Sequence, residues 1–84
     1  MGVRKELSES FGRSIRRERE SKGLSQERLA ELSELDRSYV QRLESGRYSP
    51  SLDSIDRLAA ALQLLPSELI ALAEGAEDDE EEES

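Results

Sequence analysis

Apolar residues recur three and four apart along most of this 84-residue chain, and no segment alternates with the period of two that a strand needs. Phe11 and Ile15 share one face of a segment from Ser8 or Ser10 to about Lys22, which predicts a first helix closed by Gly23. The rest of that segment, RRERESK, is heavily charged. Leu24 turns inward just ahead of Ser25, which can cap a second helix from Gln26 to about Leu32 with Leu29, Ala30 and Leu32 facing a core. Asp36 can cap a third, Arg37 to about Ser45, carrying Val40 and Leu43 inward and stopping at Gly46. The GRYSPS of residues 46–51 reads as a loop. Ser51 then caps a fourth helix whose Leu52, Ile55, Leu58, Ala59 and Leu62 form an apolar stripe. Pro66 suits the first turn of a fifth helix, running to about Ala73 and ended by Gly75.

The expected organisation is a polar arm at residues 1–8, one all-α domain at 9–75 and a disordered acidic tail at 76–84. Eighty-four residues leave no room for a second core. With 35% hydrophobic and 4% aromatic residues, that core is small and aliphatic. The sequence holds neither Cys nor His, which excludes disulfides, zinc fingers and an imidazole base. With no phosphate-cradling glycine loop either, no nucleophile–base–orienter set can be assembled, and neither an enzyme nor a cofactor is expected. No stretch is apolar enough to cross a bilayer or to act as a signal peptide, so a cytoplasmic protein is the simplest expectation.

A net charge of −8 is unpromising for a nucleic-acid binder until its distribution is considered. Residues 77–83, EDDEEEE, are seven acids; removing them from the −8 leaves −1. Residues 1–50 hold 11 Lys and Arg against 9 Asp and Glu, whereas residues 51–84 hold one base, Arg57, against 11 acids. Charge alone therefore neither favours nor forbids a polyanionic partner. The connection between the second and third helices is more telling. Only Ser33, Glu34 and Leu35 separate them, and two capped helices joined by so short a turn must cross steeply, as in a helix-turn-helix. Arg37 and Ser38 open the third helix, with Gln41 and Arg42 one turn later. Such side chains reach base edges and phosphates when a helix N-terminus enters the DNA major groove.

Residues 15–69, IRRERESKGLSQERLAELSELDRSYVQRLESGRYSPSLDSIDRLAAALQLLPSEL, resemble the Cro and phage-repressor (XRE-like) helix-turn-helix family. The resemblance is carried by Arg19, the GLSQ of 23–26, Leu29-Ala30, Glu44 with Gly46, Pro50-Ser51-Leu52 and Leu62, in that order and spacing. It implies a compact five-helix, lambda-repressor-like domain with the third helix as the recognition helix. It implies that Gln26 binds a phosphate, and that Arg19 and Glu44 form a partly buried ion pair between the first and third helices. Glu34 stands where the family usually has glycine and Ser33 where an apolar residue is usual, so Glu34 must accept left-handed or strained backbone at about 1 kcal/mol. The Ser33–Tyr39 string resembles the small, dimeric controller proteins of restriction-modification systems.

Within that frame, Arg37 matches a base-reading position and suits a bidentate contact to guanine; otherwise it is a solvated first-turn Arg beside Asp36. Ser38 can read a base or bind phosphate, or simply start the helix. Tyr39 suits a phosphate contact or half-buried packing on the second helix. Gln41, about 100° round from Arg42, suits the groove wall or plain solvent. Arg42 can reach a base or a phosphate, or pair with Glu44 or Glu34. Arg47 and Tyr48 suit clamps on the sugar–phosphate backbone, or a solvated loop. Leu65, Ile70 and Ala73 are surplus to one core and suggest a C2 dimer interface, which would set two recognition helices about 34 Å apart on a palindromic site. The alternative is a monomer whose fifth helix completes the core. The tail reads as a solubilising appendage, a competitor of DNA for the recognition face, or a docking segment for a basic partner such as RNA polymerase. The expected function is sequence-specific transcriptional regulation on double-stranded DNA, without a small-molecule ligand. The competing reading is a protein-interaction or antitoxin-type module docking through the fifth helix and tail.

Overall fold

The computed structural model describes the backbone of residues 5–83 and the side chains of residues 6–75. Five helices follow one another: α1 (Lys5–Ser21), α2 (Gln26–Ser33), α3 (Arg37–Glu44), α4 (Leu52–Ala61) and α5 (Pro66–Glu83). All five feed one core of Phe11, Ile15, Leu29, Ala30, Val40, Leu43, Ile55, Leu58, Ala59, Leu62, Leu69 and Ala73. The caps fall where the sequence places them. Ser25 Oγ accepts from the Arg28 amide at 3.0 Å, and Ser51 Oγ accepts from the Ser54 amide at 3.0 Å. Asp36 occupies the cap position of α3 in extended backbone, but its carboxylate makes no capping bond.

The helix exits share a device that the sequence shows only in part. α1 to α4 each end on a left-handed residue, at Gly23 (φ 70°), Glu34 (φ 60°), Gly46 (φ 81°) and Gln63 (φ 63°). At each exit two amides fold back onto the last helical carbonyls: at α2, Glu34 N–H donates to Glu31 O (3.2 Å) and Leu35 N–H to Ala30 O (2.9 Å). This is the Schellman arrangement, whose following residue is commonly apolar and packs back onto the helix. Here Leu24, Leu35 and Leu64 fill that place and lie against the core. A leucine following the turn therefore holds Glu34 and Gln63 in backbone that glycine would adopt more easily.

α1 and α3 pack tightly at Gly12, where a β-carbon would stand 2.3 Å from Leu43 O and 2.8 Å from Glu44 O. No larger residue fits there without parting the two helices.

Several expectations are corrected. α1 begins at Lys5, inside the arm predicted for 1–8: Leu7 packs on the core four residues before Phe11, and the Ser8 hydroxyl lies 3.0 Å from that of Ser49. Residues 1–4 lie outside the described residues. Leu32 points outward, and Ser33 is buried in its stead, its hydroxyl donating to Leu29 O at 2.7 Å. Leu52 opens α4 but is 86% exposed. α5 does not stop at Gly75 but continues to Glu83, an interior glycine costing a helix only about 1 kcal/mol. Ser84 and the side chains of the acidic segment lie outside the described residues.

Candidate nucleic-acid interface

α3 is fixed from below and open above. Val40 and Leu43 are fully buried, while Arg37, Ser38, Gln41 and Arg42 are all exposed. These four form two i, i+4 rows, so they share one broad outward arc. Among the described residues Arg37, Ser38 and Gln41 make no side-chain hydrogen bond or ion pair, which leaves their donors available. Asp36, Ser38, Tyr39 and Arg42 line a groove beside the turn, and Gln41, Arg42, Ser45 and Arg47 line another at the far end of the helix.

The one acid on α3, Glu44, is turned away from this arc. Its carboxylate accepts from Arg19 Nε at 2.7 Å and Arg19 Nη2 at 3.1 Å, a bidentate pair whose side chains are 11% and 4% exposed. Arg19 also donates to Leu24 O at 2.7 Å, and the Gln26 amide donates to Glu44 at 3.0 Å. The Glu44 hydrogen bonds raise the Arg19 pKa further above its already high value, against the cost of burial. The pair ties α1, α2 and α3 together and keeps a negative charge off the exposed arc of α3. The exposed bases Arg37, Arg42 and Arg47 are left to set the local potential, with Asp36 at the helix start. At the turn Glu34 is likewise bound, 2.9 Å from Arg57 of α4, whose own pKa is raised by Asp53 first and Glu34 second.

The remaining site residues are placed as follows. Gln26 is half-buried, and its amide nitrogen is engaged by Glu44. Tyr39 is half-buried against the core, with its hydroxyl 2.9 Å from Ser54 Oγ on α4, which receives a further hydrogen bond from Ser51. Arg42 pairs with neither Glu44 nor Glu34; its guanidinium lies over the Tyr48 ring, 5.5 Å from the centroid. Arg47 is exposed and Tyr48 is 44% exposed. The three residues assigned to a dimer interface are separated. Leu65 is 62% exposed and Ile70 half-buried, but Ala73 is fully buried in the chain's own core, on the α5 face shared with Leu69, and is removed from that surface. The outer apolar groove is instead lined by Leu52, Ile55, Pro66, Ile70 and Ala71. Sequence spacing placed Leu52 on the inner stripe, so this role was not visible there. Among the described residues no carboxylate cluster is placed to hold a metal, and no single helix is long and apolar enough to cross a membrane.

A helix-turn-helix family model, HTH_3, matches residues 15–70, spanning α2 and α3 whole. The chain belongs to this family of DNA-binding transcription regulators. Its similarity to individual members runs in two directions. It is 39% identical over 61 residues to control protein C.BamHI of Bacillus amyloliquefaciens, covering 71% of this chain and 75% of that protein. It is 36% identical over 61 residues to the immunity repressor of Bacillus phage phi105, covering 73% of this chain but 42% of the repressor. Among solved structures, the restriction-modification controller C.AhdI from Aeromonas hydrophila is 52% identical, with TM-score 0.72, over 74% of this chain and 94% of the controller. The resemblance to the Cro and phage-repressor type thus stands. These relatives are regulators, which points to a non-enzymatic role.

Proposed function

We propose that this chain is a sequence-specific regulator that binds a palindromic operator as a homodimer, with α3 in the major groove of each half-site. The observation that carries the reading is the row of uncommitted donors, Arg37, Ser38 and Gln41 with Arg42, on a helix anchored by Val40, Leu43 and the Arg19–Glu44 pair. Arg37, at the helix start, suits a bidentate contact to guanine, and Ser38 a base or phosphate beside it. Arg47, on the loop after α3, suits a contact to the DNA backbone, which holds register. Gln26 serves the phosphate contact through the second N–H of its amide, the first being donated to Glu44. The groove of Leu52, Ile55, Pro66, Ile70 and Ala71 suits the second copy of the chain, and the similarity to small controllers over most of their length supports that assembly. Control by concentration and promoter placement follows, with RNA polymerase as the partner reached from the DNA-bound dimer.

Selection of bound duplexes from a random pool at fixed salt, with sedimentation of the free and bound protein, tests this directly. A two-fold symmetric site and a mass of two chains are expected. Failure to enrich any sequence at any salt would refute the regulator reading and favour a protein-interaction module. A monomer at micromolar concentration, both free and on DNA, would remove the dimer.

A further inference from the structure

Arg42 differs from Arg37 in having a built support. The chain leaves α3 through Gly46 in left-handed backbone, and the Arg47 amide donates back to Arg42 O at 3.3 Å. That reversal carries Tyr48 beside the second turn of α3. The Arg42 guanidinium carbon sits 5.5 Å from the Tyr48 ring centroid, with Nη1 3.4 Å from the phenol oxygen. The hydrogen bond is long, so the cation–π contact is the principal one. Arg42 makes no ion pair with a carboxylate among the described residues, and it lies between the two grooves lined by Ser38 and by Gln41 and Arg47.

A guanidinium held against a ring by its charge is fixed in place, and the edge of its N–H fork that does not face the ring stays available to a second partner. An edge of that kind matches O6 and N7 of guanine in the major groove, whereas a lysine ammonium or an unsupported side chain carries no such orientation. We propose that Tyr48 is a positioning residue that holds Arg42 in place as a second guanine-reading side chain, one turn along α3 from Arg37. The inference rests on the operator-binding reading above and assigns Tyr48 a role other than a phosphate clamp.

The probe is the duplex that the wild-type protein selects from a random pool, with each guanine replaced in turn, measured by fluorescence anisotropy across a salt series. Arg42→Ala is expected to weaken binding roughly tenfold or more and to abolish the preference for guanine at one position in each half-site. Tyr48→Ala should weaken binding about two- to fivefold, as fits an exposed cation–π contact, with the loss confined to that same position. Tyr48→Phe should keep most of the affinity, and the Arg42→Ala, Tyr48→Ala double variant should bind no worse than Arg42→Ala alone. Because both side chains are exposed, melting temperatures should be unchanged. The proposal is overturned if Tyr48→Ala retains its full effect in the Arg42→Ala background. It is equally overturned if Tyr48→Ala weakens all duplexes alike with a shallower salt dependence, the mark of a phosphate contact, or if Arg42→Ala leaves every guanine preference intact. A wild-type protein that selects no duplex is a separate failure, of operator binding itself.

Discussion

Glu44→Ala is expected to damage this protein more than any substitution on its recognition surface. The variant strands Arg19, which is 11% exposed, and leaves the Gln26 amide without its acceptor. Removing one partner of a buried pair costs about 3–5 kcal/mol, because the remaining charge stays buried without compensation. Arg19 keeps its bond to Leu24 O and has Glu20 at 4.0 Å, so the lower end, about 3 kcal/mol, applies. For a domain of this size 1 kcal/mol moves the melting temperature by about 4–8 °C, which makes the expected drop roughly 12–24 °C. A chain of 84 residues has a total stability on the order of 4–13 kcal/mol, so the loss is a large share of it. Thermal and urea unfolding followed by circular dichroism measure it, with Arg37→Ala as the control that should stay within about 0.5 kcal/mol of wild type. The Arg19→Met, Glu44→Leu double variant should recover much of the loss, since an apolar pair of similar volume strands no charge. Equal shifts in Glu44→Ala and Arg37→Ala would refute the assignment of Glu44 to the frame and Arg37 to the DNA face.

Other substitutions separate backbone from side-chain effects. Gly12→Ala should destabilise by about 1–3 kcal/mol, because its β-carbon meets carbonyls of α3 that cannot step aside, whereas Gly75→Ala, with open space around it, should raise stability by up to about 1 kcal/mol; melting curves give both signs. Gln63→Gly should stabilise by about 1 kcal/mol by relieving left-handed backbone, and a decrease in the urea midpoint would contradict the strain at that turn. Leu52→Glu should give a monomer by sedimentation with an unchanged melting midpoint at low protein concentration, since the side chain is 86% exposed in the single chain. In the acidic segment, amides beyond Gly75 should exchange far faster than those of Leu69–Ala73, because like charges one turn apart and acids at a helix C-terminus both oppose helix.

The succession of five helices and the outward-facing start of α3 were legible before any coordinates, because periodicity, serine caps and turn residues act over a few neighbours. The left-handed Glu34 was implied by the resemblance, since it stands where the family usually has glycine, and the backbone shows φ 60°. The similar turn at Gln63 was not read, although Leu64 after it carried the signal. The directions of Leu32, Leu52 and Ala73 were not legible, since a short helix with apolar residues on several sides can bury any of them, and its neighbours select the arc. The same holds for the interface. Arg37 and Ser38 are set outward by their place at the start of an anchored helix, a local matter. The bond of Tyr39 to Ser54 on α4, the withdrawal of Glu44 toward Arg19, 25 residues earlier, and the stacking of Tyr48 on Arg42 exist only once the helices have packed. Short-range geometry thus marks which residues can meet DNA, and long-range packing settles which of them arrive with free donors, because a donor's partners come from distant parts of the chain.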